Sequence, residues 1–178
     1  MFAASLSVFD DIVVVGAFQA DLDGYEEAGA AYFYKAESNG SVTYLTKLTA
    51  PDLSTGVESF GRSISQSGDL LAIGSMHDIY FYRVDANGST TGLGKAIFHP
   101  LHEDGPSEVL DVFSISLSGE MLAAGGMILQ ATEEGEEPDP DGEPGGGAVY
   151  LVNLNLSQSL LLFILLLLIR IQLKLHRI

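Results

Sequence analysis

The chain of 178 residues contains no cysteine and only eight basic residues. Without cysteine, neither disulfide bonds nor thiol chemistry is available, so cysteine content leaves the redox compartment open. All 24 acidic residues precede residue 144, where they face five basic ones, so this stretch carries a net charge of 5 − 24 = −19. Such a charge repels nucleic acid and anionic membrane and favours cations, basic partners or plain solubility. Because no basic stripe interleaved with aromatic residues is present either, we expect no nucleic-acid partner.

The motifs of common catalytic sites are also missing. The sequence contains no nucleophile elbow, no Ser-His-Asp order and no glycine-rich phosphate loop. His99 and His102 flank a Pro-Leu pair and have no third ligand nearby, so a loop is favoured over a metal site. The sequence therefore predicts that this chain is not an enzyme.

The chain does contain one sequence motif, here called the repeated phrase, in three copies. The phrase reads FGRSISQSGDLLAIGS at 60–75, FAASLSVFDDIVVVGA at 2–17 and SISLSGEMLAAGG at 114–126. An aromatic segment follows each copy, and the three segments begin at Ala30, Ile79 and Ala148. Repeats about fifty residues apart indicate an architecture in which each unit is one small sheet.

Each unit has the local pattern of antiparallel strands. Residues 63–65 alternate polar with apolar side chains, as a half-buried strand does, and a Gly-containing turn follows. The next run is apolar throughout, which is typical of a strand buried on both faces. We expect such burial at 12–15, 70–73 and 121–124. Each run ends in small residues, which let a neighbouring backbone come close.

A fourth strand per unit is predicted after each Asn-Gly turn. The turn at Asn39-Gly40 leads into Val42–Leu48, and the turn at Asn87-Gly88 leads into residues 93–98. Four antiparallel strands in about fifty residues form the blade of a β-propeller.

These phrases resemble the FG-GAP repeat, the blade unit of integrin α-subunit propellers. In the middle unit, Phe60-Gly61 stands for the FG pair, 71–75 for the strand that ends in the GAP-like turn, and 79–82 for the aromatic third strand. The third unit has Asp111-Val112 where the FG pair would stand. The resemblance covers residues 2–153.

The resemblance implies an all-β fold, a partial β-propeller of about three four-stranded antiparallel blades. We expect the blades at about 1–50, 51–104 and 105–153, the third without a proper outer strand. Because propellers close with about four to eight blades, we expect either a fragment of a full propeller or self-association that completes one.

The resemblance also implies a function. By likeness to integrin-type propellers, we expect a non-enzymatic recognition or adhesion module of a cell-surface or secreted protein, which binds a protein or glycan ligand through its propeller loops. The alternative is the propeller portion of a larger extracellular enzyme or lectin whose active site lies outside this chain.

Two acidic loops are candidate calcium sites. In integrin-like blades calcium binds between the first and second strands, but here that connection is too short to wrap a cation that takes six to eight oxygens. The acidic loops lie one connection later, at 19–27 and 133–143. Carboxylates two residues apart and followed by Gly place oxygens on one side of a sharp turn, although solvated turns have the same composition. The candidate metal ligands are Asp21, Asp23, Glu27, Asp139 and Asp141.

Two Asn-Gly-Ser sequons, at Asn39 and Asn87, lie in predicted hairpin turns and predict N-glycosylation. The alternative is chance, since Ser often follows an Asn-Gly turn.

The C-terminal segment 154–178 is hydrophobic with a basic flank. Residues 160–169 are ten consecutive apolar residues, and a helix of that length spans about 15 Å, half the hydrocarbon core of a bilayer. We expect a hydrophobic helix at 156–169 that inserts into the membrane as a single-pass anchor with a short cytoplasmic C-terminus. The alternatives are an aberrant final strand and a non-native chain end.

Overall fold

The computed structural model describes residues 2–22, 24–53, 58–97, 109–129 and 147–154. Within these ranges the secondary structure is entirely β, in eleven strands. The first sheet contains β1 (Ser5–Phe9), β2 (Ile12–Ala17), β3 (Ala30–Ala36) and β4 (Val42–Leu48). The middle sheet contains β5 (Ser63–Ser67), β6 (Leu70–Gly74), β7 (Asp78–Val84) and β8 (Thr90–Ile97). The third sheet contains β9 (Val109–Ser118), β10 (Met121–Leu129) and β11 (Gly147–Asn153).

Each sheet is an antiparallel meander in which strands adjacent in sequence are adjacent in space. The first two sheets have the orders β1-β2-β3-β4 and β5-β6-β7-β8, and the third has three strands in the described part of the chain. The all-β fold of repeated blade-type sheets is therefore confirmed. One boundary was predicted wrongly: β8 begins at Thr90 and not at residue 93, because its pairing with β7 continues through a bulge at Phe81/Tyr82 to the Asn-Gly turn.

The middle sheet lies between the other two and is buried on both faces. Leu71 and Ile73 of β6 pack in one apolar cluster with the first sheet, and Leu70 and Ala72 pack in a second cluster with the third sheet. Alternate residues of a strand point to opposite faces, so this one strand contributes to both cores. The prediction that 70–73 is buried on both faces is confirmed.

The equivalent runs of the outer sheets are not fully buried, contrary to the prediction. Met121 is 46% exposed, and Val13 and Ala123 are half-buried, whereas Val14 and Leu122 have no exposed surface. Each outer sheet has one neighbouring sheet among the described residues, so only one face of β2 and β10 is covered.

The predicted helix at 156–169 and its basic flank lie outside the described residues. Leu154, the first residue of the hydrophobic segment 154–178, is buried in the core of the third sheet, and its N–H donates to the Glu120 carbonyl at 2.8 Å. No helix long and apolar enough to cross a membrane occurs in the ranges that the structure describes.

Candidate functional site on the loop face

The loops of an antiparallel meander alternate between the two ends of the sheet. The β2–β3 loop, the segment between β4 and β5, and the β6–β7 turn therefore share one end, here named the loop face. Backbone hydrogen bonds connect these segments: Ser59 N–H donates to the Glu27 carbonyl at 3.1 Å, and Met76 N–H donates to the Glu58 carbonyl at 2.9 Å. The loop face is thus one continuous surface that spans the first and middle sheets.

The two sequon turns lie at the opposite end. Asn39 and Asn87 are exposed, and the Oδ1 atom of each accepts bonds from the backbone N–H and the hydroxyl of the Ser two residues later, at 2.7–2.9 Å. Both side chains lie on accessible turns, as predicted, and N-glycosylation there stays a prediction.

The acidic β2–β3 loop is closed by its own hydrogen bonds. The Asp21 Oδ1 atom accepts the Glu27 N–H at 2.9 Å, and the Gln19 side-chain amide donates to Glu27 Oε1 at 3.3 Å. Between them, Leu22 and Tyr25 exchange two backbone hydrogen bonds. Glu27 has a φ of 50°, a left-handed conformation that is uncommon for a residue other than Gly. The described part of the loop is therefore a hydrogen-bonded turn in which Asp21 and Glu26 are exposed.

This loop is also attached to the segment that enters the middle sheet. Phe60 N–H donates to the Ala28 carbonyl at 3.0 Å, next to the Ser59–Glu27 bond. Gly29 has a φ of 81°, and a Cβ at this position would clash with the backbone nitrogen and carbonyl oxygen of Phe60. Gly29 thus permits both the bend and the close approach of the two backbones.

The predicted metal ligands fall into two groups. Asp21 and Glu27 are brought together by the bond between the Asp21 carboxylate and the Glu27 N–H. Asp23, Asp139 and Asp141 lie outside the described residues. The Tyr25 carbonyl, a further oxygen of this loop, accepts the Leu22 N–H at 2.9 Å. In the described part of the chain no three acidic or His side chains are grouped so as to hold a metal ion; calcium binding stays a prediction.

A second polar cluster on the loop face was not predicted. The Lys95 ammonium lies 2.6 Å from Asp52 and 2.7 Å from Asp78, and the Tyr80 hydroxyl donates to Asp52 at 2.8 Å. The hydrogen bond from Lys95 lowers the pKa of Asp52, while burial, together with the Asp52 carboxylate, raises the pKa of Tyr80. These residues come from two strands and a connecting segment, and no local spacing in the sequence relates them.

The FG pair forms the joint between the first and middle sheets. Phe60 is fully buried in the shared core, and the Gly61 carbonyl accepts the Ser5 hydroxyl at 2.8 Å. A Cβ at Gly16 would clash with that carbonyl, so the predicted need for a small residue is confirmed there. It fails at Gly74 and Gly125, where an added Cβ would have its nearest neighbour at 3.5 and 4.0 Å.

The joint between the middle and third sheets is built differently because the third unit lacks the FG pair. Val112 stands in place of the Gly, and its N–H donates to the Met76 carbonyl at 2.9 Å. Arg62 forms an ion pair with Asp111, and its guanidinium carbon lies 4.5 Å from the centre of the Phe113 ring. The second joint thus has the ion pair and the cation–π contact of Arg62 at the place where, in the first joint, the backbones of Gly16 and Gly61 lie close together.

Comparison with known proteins agrees with this architecture. The family model of the FG-GAP repeat matches residues 43–92, from the outer strand of the first sheet into the outer strand of the middle sheet. The matched stretch includes the FG pair and the strand that ends in Gly74. No curated protein matches the chain. The chain therefore carries an FG-GAP repeat at residues 43–92, within three sheets of the β-propeller-blade type.

Proposed function

We propose that this chain is a non-enzymatic recognition module of a cell-surface or secreted protein, which binds a protein or glycan ligand through its loop face. The observation that carries the proposal is the closed acidic loop, fixed to the next sheet by two backbone hydrogen bonds. The FG-GAP repeat at residues 43–92 supports the extracellular setting.

The hydrogen bonds that close the described part of the loop favour binding. A loop that is already ordered pays less conformational entropy when it meets a partner than a flexible loop does. Glu27 and Ser59 both have positive φ, of 50° and 53°, and they face each other across the Ser59–Glu27 hydrogen bond. Backbone strain of this kind concentrates at ligand sites, where the surrounding structure maintains it.

The charge of the loop favours a basic partner or a cation. Asp21 and Glu26 are exposed, and Glu27 is half-buried beside them. We propose that calcium binds here through Asp21, Asp23 and Glu27, with the weak affinity of extracellular modules, a Kd of about 10⁻⁴ to 10⁻³ M. The bound cation would relieve repulsion among the carboxylates and present a coordination position to an acidic group of the ligand. The second acidic loop, with Asp139 and Asp141, is proposed as a further calcium site.

Calcium titration by calorimetry tests this part of the proposal. We expect heat of binding at millimolar calcium and a higher melting temperature in its presence, both lost in Asp21→Ala. Glu37→Ala, in the β3–β4 turn at the opposite end, is the matched control and should behave as the unmodified chain does. Absence of heat together with an unchanged melting temperature would make the loop an ordinary solvated turn.

Ligand recognition is tested by binding of the full chain to arrays of glycans and basic peptides. The double variant Asp21→Asn/Glu26→Gln removes two charges from the loop face, and Glu37→Gln/Asp69→Asn removes two from the opposite end. We expect only the first variant to lose binding. Equal loss in both variants would assign the binding to overall charge and not to the loop face.

A further inference from the structure

The first strands of the three sheets are joined through serine side chains. These strands, β1, β5 and β9, each carry Ser at alternate positions. Ser65 accepts the Leu117 N–H at 2.9 Å, and Ser7 accepts the Gln66 N–H at 3.0 Å. Gln66 and Leu117 occupy the same position of the repeated phrase, so the two joints share this one contact although they differ at the FG position.

The joint between the middle and third sheets contains a complete row of such bonds. Besides the bond at Ser65, Ser63 accepts the Ile115 N–H at 2.9 Å and Ser67 accepts the Gly119 N–H at 2.8 Å. The three serines of β5 accept backbone N–H groups on the outer edge of β9, the edge that faces away from β10. In the first joint Ser7 accepts one such N–H group, and Ser5 donates to the Gly61 carbonyl. The row of serines on β5 therefore holds the third sheet against the middle sheet.

The third sheet carries the same row, and none of the strands that the structure describes binds it. Ser114, Ser116 and Ser118 of β9 are exposed, and their hydroxyls accept no bond from any strand in the described part of the chain. They pair in register with Gly125, Ala123 and Met121 of β10, so the row shares its sheet face with these residues. Met121 and Val149 are exposed apolar residues on this face.

The first sheet carries the matching half of the contact. Leu6 and Val8 of β1 are 60% and 63% exposed, on the face opposite Ser7. In the repeated phrase Val8 occupies the position of Gln66 and Leu117, the residues whose N–H groups bind the serine rows. Among the described strands β1 lies at the edge of its sheet, so the N–H groups on its outer side can donate to the serine hydroxyls of β9.

We propose that a second copy of this chain docks head to tail, with the β1 edge of one copy on the serine row of β9 in the other. The contact places the Val8 N–H on the Ser116 hydroxyl and the Leu6 N–H on Ser114, and it buries Leu6 and Val8 against Met121. The occupant is another copy because the part of the chain that the structure describes exposes both halves of this contact, the serines of β9 and the outer edge of β1. The same Ser-to-N–H contact occurs in both joints within the chain.

The contact is heterologous, since different surfaces of the two copies meet, and such contacts either close into a ring or extend as a filament. Two copies bring together six sheets, which is within the four to eight blades of closed propellers. Closure by two copies would leave no exposed serine row. This contact does not depend on what the loop face binds.

Cysteine cross-linking of the full chain in mild detergent tests the contact, because the chain has no cysteine of its own. The variants Ser116→Cys and Val8→Cys, each a single change, are mixed and oxidised at about physiological ionic strength. We expect a disulfide-linked heterodimer, since residues in this register bring their Cα atoms within disulfide range. The pair Ser7→Cys/Gln66→Cys, in one chain, is the positive control and should form an internal disulfide.

The negative control mixes Ser116→Cys with Thr43→Cys, a position that is also exposed, on β4 at the outer edge of the first sheet. Cross-linking at Val8 and not at Thr43, with a sedimentation mass of two chains that Val8→Lys reduces to one, supports the proposal. Equal cross-linking at both positions, or a monomer at every concentration, overturns it. Cross-linking to a different protein and not between copies would assign the serine row to a blade from another chain, and that also overturns it.

Discussion

Gly29→Ala tests the attachment of the acidic loop to the middle sheet. Ala at a positive φ costs about 1–2 kcal/mol, and the new Cβ would clash with the Phe60 backbone and push the two segments apart. The hydrogen bonds from Ser59 and Phe60 to the loop would then be lost, at about 0.5–1.5 kcal/mol each. We expect a total loss of about 2–5 kcal/mol in the free energy of unfolding.

Gly24→Ala is the matched control. Gly24 lies in the same loop with a φ of 86°, but a Cβ there would have no atom within 4 Å. This variant should lose only the conformational part, about 1–2 kcal/mol. Equilibrium urea unfolding of the full chain, followed by circular dichroism, gives both values. Equal losses in Gly24→Ala and Gly29→Ala would refute the reasoning, because the clash with Phe60 is what distinguishes them.

Three further predictions concern the joints, the acid stability and the C-terminal segment. Gln66→Leu should raise the free energy of unfolding, measured in urea, by about 1–3 kcal/mol, because the buried Gln66 Oε1 has no hydrogen-bond partner in the described part of the chain. Leu117 already occupies the equivalent position of the third unit. A lower stability of the variant would contradict this prediction. The Lys95 hydrogen bond holds the pKa of Asp52 below its usual 3.8, so this pair contributes stability above that pH and loses it as the pH falls through the folded value. The melting temperature of Asp52→Asn should accordingly fall less between pH 5 and pH 2 than that of the unmodified chain, and identical pH profiles would count against the pair. Deleting 156–178 should improve solubility and release the chain from carbonate-washed membranes; equal release of the full chain would remove the anchor.

Local sequence patterns predicted the strands because strand formation here depends on short-range signals. The alternation and the Asn-Gly turn specified β4 at Val42–Leu48 without error. The buried run of the middle unit was also predicted, since a strand that is apolar on both faces requires two covering layers. The exposure of Met121 could not be read from its own segment, because it depends on whether another sheet covers that face.

The site was predicted in part. The acidic loop was located from its spacing of carboxylates and Gly, and its closure by Asp21 and Glu27 follows the same local logic. The cluster of Asp52, Tyr80 and Lys95 was missed, since its members are brought together only by the pairing of β7 with β8 and by the path of a connecting segment. Contacts between residues of different strands and loops produce no regular spacing in a single sequence, so no pattern could reveal this cluster.

Serine side chains on β1 and β5 join the three blade-type sheets through backbone N–H groups of the next sheet. Amide hydrogen exchange at Leu117, read by NMR, tests it most directly, because this N–H belongs to the edge strand β9 and bonds to the Ser65 hydroxyl. We expect slow exchange at Leu117, comparable with core amides of β6, and faster exchange in Ser65→Ala. Exchange at the rate of an exposed strand edge, unchanged by Ser65→Ala, would contradict the stacking.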